Sequence, residues 1–311
     1  MRKPSIRKVF YYLLHPNALI RAYRIMKLYS NEHYSLSDEE YIRKMFRIKM
    51  GYNINLNNPR TFNEKINWLK LFNRQSIYSM MVDKHAVKGY VSNLIGKNHV
   101  IPEIGFYHSS QEINISILPD KFVLKTNHGC GSMIVCTDKS KIDWDNELKK
   151  LDESLKDNYY YHCREWVYKD VEPCIIAEEY MKDNDYDVLP VYKFFCFSGF
   201  PVLIQAIKND KQVNETIDYF DTDWNRLELR QNFPNSKKPL ACPKNYGEML
   251  EIASKLTQGI PFVRCDLYSV NGQTYFSEFT FYSDAGFERF HPKKWDSFLG
   301  SLIKLPELKV K

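Results

Sequence analysis

The most constraining feature of the chain is a segment near its C-terminus, residues 261–281, whose pattern predicts one β-hairpin. Side chains alternate between the two faces of a strand. Arg264 and Asp266 therefore share one face of the first strand, and Glu278 and Thr280 share one face of the second. The residues around them are mostly Phe, Val and Leu, so these charges are expected beside a core wall. Two carboxylates there need a cation, and the neighbouring arginine indicates an anion, so the pattern favours a divalent metal with phosphate.

The length of the turn decides whether the two carboxylates meet. A two-residue Asn271-Gly272 turn would pair Val270 with Gln273 and place Asp266 and Glu278 on opposite faces. A three-residue loop with Gly272 in the left-handed conformation places them on the same face. We expect the three-residue loop. The alternative for this segment is a plain hairpin with solvated charges.

Composition limits the class of protein. The 311 residues are 44% hydrophobic and 26% charged, which is typical of a globular chain with one large or two medium domains. The net charge of +6 suits anionic ligands such as nucleotides or acidic sugars, and no nucleic-acid-binding motif is present. The seven cysteines are scattered without a C-x-x-C pair, which favours reduced thiols in the cytoplasm.

Residues 1–60 form a basic region that is expected to be largely helical, with no secretory signal and no apolar run long enough to span a bilayer. Basic residues interleave with apolar ones along it. This pattern fits contact with an anionic membrane or a partner, which would place the protein at the inner face of the membrane. The alternative, which we favour, is a helical cap packed on the main domain.

A second cluster lies where Lys125 ends a predicted strand. A loop containing Asn127, His128, Gly129, Gly131 and Ser132 follows, and an apolar strand returns. Backbone N–H groups of such a loop can hold phosphate oxygens, and the lysine supplies a point charge. A glycine hairpin with a nearby lysine is the equally weighted alternative.

A third cluster is an apolar strand that ends in Glu178 and Glu179, followed by Met181. The backbone of such a hinge can bind adenine while Met181 or Tyr180 covers its face, and Asp185 or Asp187 can reach a ribose hydroxyl. On these residues alone, a strand end with solvated acids is the favoured interpretation.

Helices and strands mix without strict alternation, which predicts the α+β class. A capping signal at Ser37 predicts one helix start, and a second helix over 62–72 is predicted to begin at Thr61. The remaining predicted helices cover residues 83–91, 144–156 and 244–258. The predicted strands cover the end of residues 100–107, the two arms of 122–136, then 174–181, 191–197 and 202–208.

The order of these clusters resembles the ATP-grasp superfamily, and the chain is most similar to its TupA-like family, named for teichuronopeptide synthesis. The resemblance covers roughly residues 61–305. It is carried by Thr61-Phe-Asn-Glu-Lys65, Asp83-Lys84, Phe122-Val-Leu-Lys-Thr-Asn-His-Gly-Cys-Gly131, Ile176-Ala-Glu-Glu-Tyr180, Tyr192-Lys-Phe-Phe-Cys-Phe197, Phe262-Val-Arg-Cys-Asp-Leu-Tyr268 and Phe276-Ser-Glu-Phe-Thr-Phe281.

The resemblance implies an ATP-grasp fold with two α+β subdomains that grip ATP, behind the N-terminal region. The implied bounds are 61–120 for the part with the first lysine, 121–185 for the glycine-loop subdomain and 186–311 for the metal-binding subdomain. The implied metal ligands, for two Mg²⁺, are Asp266, Glu278 and Thr280. The implied catalytic residues are Arg264, Lys193 and His128. The implied ATP-binding residues are Lys84, Lys125, Asn127, Gly129, Gly131, Ser132, Glu178, Glu179, Met181 and Asp185.

The implied activity is carboxylate–amine ligation in bacterial envelope polysaccharide synthesis, such as that of capsule, teichuronopeptide or O-antigen. The partners would be ATP, a uronic-acid-type sugar or polysaccharide-precursor acceptor and an amino-acid amine. The chain departs from the expected patterns at three single positions. Thr280 stands where the wider superfamily has Asn. Val191 stands where the TupA-like family often has Asp, and Ser277 stands where that family has Gly. The alternatives are a glycosyltransferase of polysaccharide synthesis and a small-molecule kinase on the same fold.

Overall fold

The computed structural model describes residues 16–31, 34–129 and 131–307. Its helices are α1 (Pro16–Asn31), α2 (Asp38–Met50), α3 (Phe62–Phe72), α4 (Ser76–Val82), α5 (Ala86–Ile95), α6 (Trp144–Leu155), α7 (Tyr160–Cys163), α8 (Tyr246–Leu256) and α9 (Lys294–Leu302). Its strands are β1 (Glu103–Tyr107), β2 (Phe122–Thr126), β3 (Met133–Cys136), β4 (Ile175–Glu179), β5 (Val191–Phe197), β6 (Phe200–Lys208), β7 (Thr216–Phe220), β8 (Val263–Val270) and β9 (Gln273–Thr280). The predicted α+β class is confirmed.

The strands form two antiparallel sheets. Sheet I has the order β1-β4-β2-β3, and sheet II has the order β7-β6-β5-β8-β9. Sheet I packs on α6 through a small separate core that includes Leu124, Ile134 and Leu151. Sheet II belongs to a larger core, and α8 covers one of its faces by packing on β5, β6 and β8. Each sheet therefore packs on its own hydrophobic core. A cleft lies where the two sheets meet.

Local capping signals are the most accurate sequence predictions. Ser37 and Thr61 each close a complete capping box, with Glu40 and Glu64 as the returning carboxylates. Each box satisfies backbone N–H groups that an uncapped helix start leaves without partners. The predicted starts of α2 and α3 are confirmed.

Three expectations need correction. The helix predicted over 83–91 begins only at Ala86, because the Asp83 carboxylate accepts from the N–H groups of His85 and Ala86 in a turn. The short helix α4 before it was not predicted. Helical structure also stops at Met50 rather than near residue 58, because Gly51 ends α2 in the left-handed conformation.

The three-residue hairpin loop is wrong. Val270 pairs with Gln273, so the turn is the two-residue Asn271-Gly272, and both residues have positive φ (51° and 81°) as in a type I′ turn. The register then shifts by one residue between Asp266 and Leu267, where β9 carries Ser277 as an extra residue. This β-bulge brings Glu278 directly opposite Asp266. The two carboxylates share a face as expected, through a bulge rather than a longer loop.

No helix in residues 16–31, 34–129 or 131–307 is both long and apolar enough to cross a membrane. The predicted basic surface includes Arg2, Lys3, Arg7 and Lys8, and this part of the prediction lies outside the described residues.

Candidate active site

A cavity of about 360 Å³ lies in the cleft between the sheets. Sheet I contributes apolar side chains of β2 and β3, among them Val123, Met133 and Val135, to its wall. Sheet II contributes Val191 and Tyr268, and the connection between β6 and β7 adds Asp210 to Gln212. An apolar cavity with a few polar groups at its rim is a common form of binding site for small molecules, nucleobases among them.

One side of the cavity carries a buried cation–anion–cation cluster. Glu178, at the end of β4, accepts from Lys125 Nζ at 2.6 Å and from Lys88 Nζ at 2.6 Å. Its side chain is only 6% exposed. Burial acts to raise the pKa of Glu178, but the two ammonium groups outweigh it and hold the pKa below its ordinary value. Glu178 therefore stays ionised; it holds Lys125 at the cavity wall and Lys88 beside it.

The hairpin presents a second polar cluster on sheet II. Arg264 donates to both carboxylate oxygens of Asp266, from Nε at 2.7 Å and from Nη2 at 2.9 Å. Lys193 Nζ lies 3.3 Å from the same carboxylate. The remaining arginine donors reach the Thr280 hydroxyl at 3.0 Å and the Ser283 hydroxyl at 3.4 Å. In this geometry Arg264 orients Asp266; its predicted contact with a reacting acyl group stays a prediction.

Lys84 joins the two sheets. Its Nζ donates to the Gly129 carbonyl at 2.7 Å and lies 3.8 Å from Glu278 Oε2. Burial acts to raise the pKa of Glu278, but Lys84, Lys193 and Arg264 together lower it below its ordinary value. Glu278 remains 34% exposed, so its carboxylate faces the cleft.

The glycine loop needs its first glycine. Gly129 has φ +68°, and an added Cβ would lie 2.7 Å from the ring of Tyr159. Gly131 has φ +94° with open space around it, and Cys130 between them lies outside the described residues. Ser132 pairs its hydroxyl with that of Thr126 at 2.9 Å, which closes the base of the loop.

Two predicted loop residues have structural partners. The Asn127 side chain donates to the Glu172 carbonyl and accepts from the Cys174 N–H, so it ties β2 to the start of β4. His128 is buried, with Nε2 3.0 Å from the Asp157 carbonyl, and burial lowers its pKa. This is the geometry of a loop-packing histidine; contact with phosphate stays a prediction for both residues.

Some of the predicted hinge residues line the cavity and others do not. Glu179 and Met181 line it, as does Asp187. Asp185 is exposed and does not line it, so of the two acids considered for a ribose contact, Asp187 is the better placed.

Sequence reasoning missed one neighbour of the site. Lys88 lies on the helix after the Asp83-Lys84 pair, and a single lysine on a helix gives no distinguishing signal. Strand alternation also predicts Tyr268 on the face of Arg264 and Asp266, and in the structure this tyrosine lines the cavity. Within the described residues, no group of three or more His, Cys, Asp or Glu side chains is placed to hold a metal.

Comparison with known proteins gives one family match and several structural ones. A family model described as TupA-like ATPgrasp matches residues 64–304. D-alanine–D-alanine ligase from Helicobacter pylori is similar at 12% identity and TM-score 0.40, over 71% of this chain and 59% of that one. The Bacillus anthracis D-alanine–D-alanine ligase complexed with ATP is 14% identical (TM-score 0.37), over 65% and 55% of the two chains.

The ATP-grasp ligase PsnB, complexed with minimal precursor, Mg and ADP, is 9% identical at TM-score 0.36, over 70% of this chain and 57% of that one. The chain thus spans less than two thirds of the length of each of these structures. No curated protein sequence matches it significantly.

Proposed function

The chain belongs to the TupA-like ATP-grasp family, and on that premise we propose that it is an ATP- and Mg²⁺-dependent carboxylate–amine ligase. The observation that carries the proposal is the meeting of three groups across the cleft. Lys84 lies between the glycine loop and Glu278, and Glu278 stands opposite Asp266. Positive charge and carboxylate oxygens at one end of an apolar slot suit a nucleotide triphosphate with its metal.

ATP would lie along the strands of sheet II. The adenine would occupy the apolar end, between Val123 and Met181, with the hinge backbone at Glu179 as its hydrogen-bonding edge. The phosphates would extend toward Lys125 and Lys84. In this direction the terminal phosphate would lie at the acidic pair.

The residues at that pair fit Mg²⁺. Asp266, Glu278 and Thr280 offer only oxygen atoms, which hard cations prefer, and Mg²⁺ commonly uses one or two carboxylates plus phosphate oxygens. Asp266 can still bind a cation beside Arg264, because each carboxylate oxygen has two lone pairs. Bound Mg²⁺ supplies charge neutralisation during phosphoryl transfer. Two ions are proposed by analogy with nucleotide-dependent phosphoryl transfer.

The reaction proceeds in two displacements. A carboxylate oxygen of the first substrate attacks the γ-phosphorus, the bond to the β-phosphate oxygen breaks, and ADP leaves. The amine nitrogen then attacks the acyl carbon, and the carbon–oxygen bond to phosphate breaks. Lys193 is placed to hold the carboxylate beside Asp266. The exposed carboxylate of Asp284, to which the Ser283 hydroxyl donates at 3.3 Å, is the group we assign to accept the amine proton.

The acceptor we propose is a uronic-acid-type carboxylate of an envelope polysaccharide or its precursor, and the amine is that of an amino acid. The support is the family. The exposed residues of α1 include Tyr23, Arg24, Met26 and Lys27, a mixture that suits contact of this cytoplasmic enzyme with the inner face of an anionic membrane.

The glycosyltransferase alternative has no favouring observation. Such an enzyme would usually carry an Asp-x-Asp motif, and Asp221-Thr-Asp223 fits those letters, but the Asp221 carboxylate accepts from the backbone N–H groups of Asp223 and Asn225 in a tight turn.

The test measures ADP and phosphate release from Mg²⁺-ATP with D-glucuronate or D-galacturonate and a mixture of amino acids. Release that needs both substrates and is lost in Asp266→Asn supports the ligase. ADP release that needs only a hydroxylated acceptor indicates a kinase. Absence of nucleotide binding at millimolar ATP would refute the proposal. Membrane contact is tested separately by co-sedimentation with vesicles of anionic and of neutral lipid.

A further inference from the structure

A row of polar side chains crosses all five strands of sheet II at one level. Lys193 on β5 pairs with Asp266 on one side, and Asp266 pairs with Glu278. On its other side Lys193 pairs with Gln205 on β6, and Gln205 pairs with Tyr219 on β7. Directly paired residues of adjacent strands point to the same face. The face that carries the acidic pair therefore continues as Lys193, Gln205 and Tyr219.

Gln205 has an unused hydrogen-bonding atom. Its Nε2 donates to the Tyr219 hydroxyl at 3.2 Å, and that hydroxyl donates to Gln231 Oε1 at 2.8 Å. The residue is only 6% exposed, and its buried Oε1 has no hydrogen-bond partner in the described part of the chain. Buried side-chain acceptors in native proteins are normally satisfied, so this atom marks a place where a bound molecule would supply the missing donor.

The position of Gln205 suits an extended substrate. Neighbouring strands lie about 5 Å apart, so Gln205 is about 5 Å from Lys193 and about 10 Å from Asp266 in the sheet. A carboxylate held at Lys193 would place the next few atoms of its own molecule over β6. That reach matches one six-membered sugar ring.

The chemistry favours a hydroxyl over an ammonium group. Lys193 is the immediate neighbour of Gln205 in the row, and a second cation there would be repelled. Turning over the amides of Gln205 and Gln231 together would reverse the hydrogen-bond chain and leave a donor instead of an acceptor at Gln205. A hydroxyl serves both arrangements, because it donates and accepts.

We propose that Gln205, held in place by Tyr219, binds a ring hydroxyl of the carboxylate substrate and so makes the enzyme selective for sugar acids over unhydroxylated carboxylates. This inference rests on the proposed ligase function. Gln205 touches the substrate, whereas Tyr219 is a positioning residue that acts through the Gln205 amide.

The experiment compares D-glucuronate and D-galacturonate with cyclohexanecarboxylate. Calorimetry measures the binding of each to the full-length protein with Mg²⁺-ADP, and ADP release gives KM and kcat. The variants are Gln205→Leu, Tyr219→Phe and, as a matched control, Gln111→Leu, which alters an exposed glutamine on the short helical turn Ser110–Glu112 of the sheet I subdomain.

The wild type should bind at least one uronate about tenfold or more tightly than cyclohexanecarboxylate. Gln205→Leu should weaken uronate binding about 10- to 100-fold and leave cyclohexanecarboxylate and ATP within about twofold. Tyr219→Phe should raise the KM for the uronate by a smaller factor and leave kcat nearly unchanged. This second variant keeps the test decisive if Gln205→Leu does not fold. Gln111→Leu should match the wild type.

Three results would overturn the inference: no uronate binding, equal binding of hydroxylated and unhydroxylated carboxylates, or uronate binding unchanged in both site variants. Failure of the ligase proposal looks different. Uronate would then bind through Gln205 without any ADP release, and the selectivity inference would stand without the ligase.

Discussion

Two glutamates on the two sheets, Glu178 and Glu278, have the same charge but differ in exposure and in how closely cations pair with them. Glu178 is 6% exposed and has a lysine ammonium at 2.6 Å on each of two sides. Glu278 is 34% exposed, and the ion pair that it forms within the described part of the chain, with Lys84, is 3.8 Å long. Glu178 is therefore enclosed, with its charge matched at close range, whereas Glu278 is held loosely beside cations and is open to a ligand. We therefore propose that Glu178 positions the two lysines and that Glu278 binds the metal.

The largest effect is expected at the open carboxylate. Glu278→Gln should reduce carboxylate-dependent ADP release about 10³-fold, on the order of 4 kcal/mol, because it removes a metal-binding charge. Its urea-unfolding midpoint should stay near that of the wild type. Exposed Glu153→Gln is the control and should change neither quantity. Unchanged turnover in Glu278→Gln would remove this residue from the metal site.

The enclosed carboxylate should show the opposite pattern. Glu178→Gln leaves two lysines facing each other with little solvent, so the free energy of unfolding should fall by about 3 kcal/mol. Urea denaturation followed by circular dichroism measures this. A stability loss under about 0.5 kcal/mol would mean that the cluster is screened like a surface pair.

Lys84 and Lys88 should differ in the same way, in their effect on ATP affinity. Lys84→Met should raise the Kd for Mg²⁺-ATP about 30-fold, about 2 kcal/mol, because Lys84 contacts both the glycine loop and the acidic pair. Lys88→Met should change that Kd less than about threefold, because Lys88 is occupied by Glu178 and the Ile101 carbonyl. Calorimetric titration with ATP distinguishes the two. Equal losses would show that Lys88 also contacts phosphate.

The smallest effect is a pH dependence. The folded pKa of Glu178 is held below its ordinary value of 4.5. A lowered folded pKa gives stability that is present above the unfolded pKa and is lost as the pH falls through the folded one. The stability difference between wild type and Glu178→Gln should therefore be constant from pH 8 to 6 and shrink below about pH 4.5. A difference that grows on acidification would reverse the assigned direction.

Local patterns predicted this fold well where one short segment decides the outcome. The capping boxes at Ser37 and Thr61 are complete within four residues, so the sequence contains all that determines them. The hairpin shows the limit. The Asn271-Gly272 turn is also local, and the structure adopts it instead of the three-residue loop that we expected. The bulge at Ser277, however, depends on how β9 pairs with β8, and the simple alternation of side chains along a strand does not include bulges.

The candidate site was predictable in its charged residues and not in their partners. The sequence pointed to Asp266 and Glu278 because acids are unusual among so many apolar neighbours. It gave no sign that Arg264 would hold both oxygens of Asp266, or that Lys88 would share Glu178. The row through Gln205 requires the register of five strands, which no single segment contains.

Oxygen transfer tests the proposed ligase mechanism most directly. A uronate that supports ADP release is prepared with ¹⁸O in its carboxylate and turned over with ATP and the amino-acid mixture. Attack of that carboxylate on the γ-phosphate, followed by amine attack at carbon, must leave one ¹⁸O in the released phosphate, which mass spectrometry detects. Phosphate carrying one ¹⁸O is the predicted result. Unlabelled phosphate, or label found in AMP, would contradict an acyl-phosphate ligase.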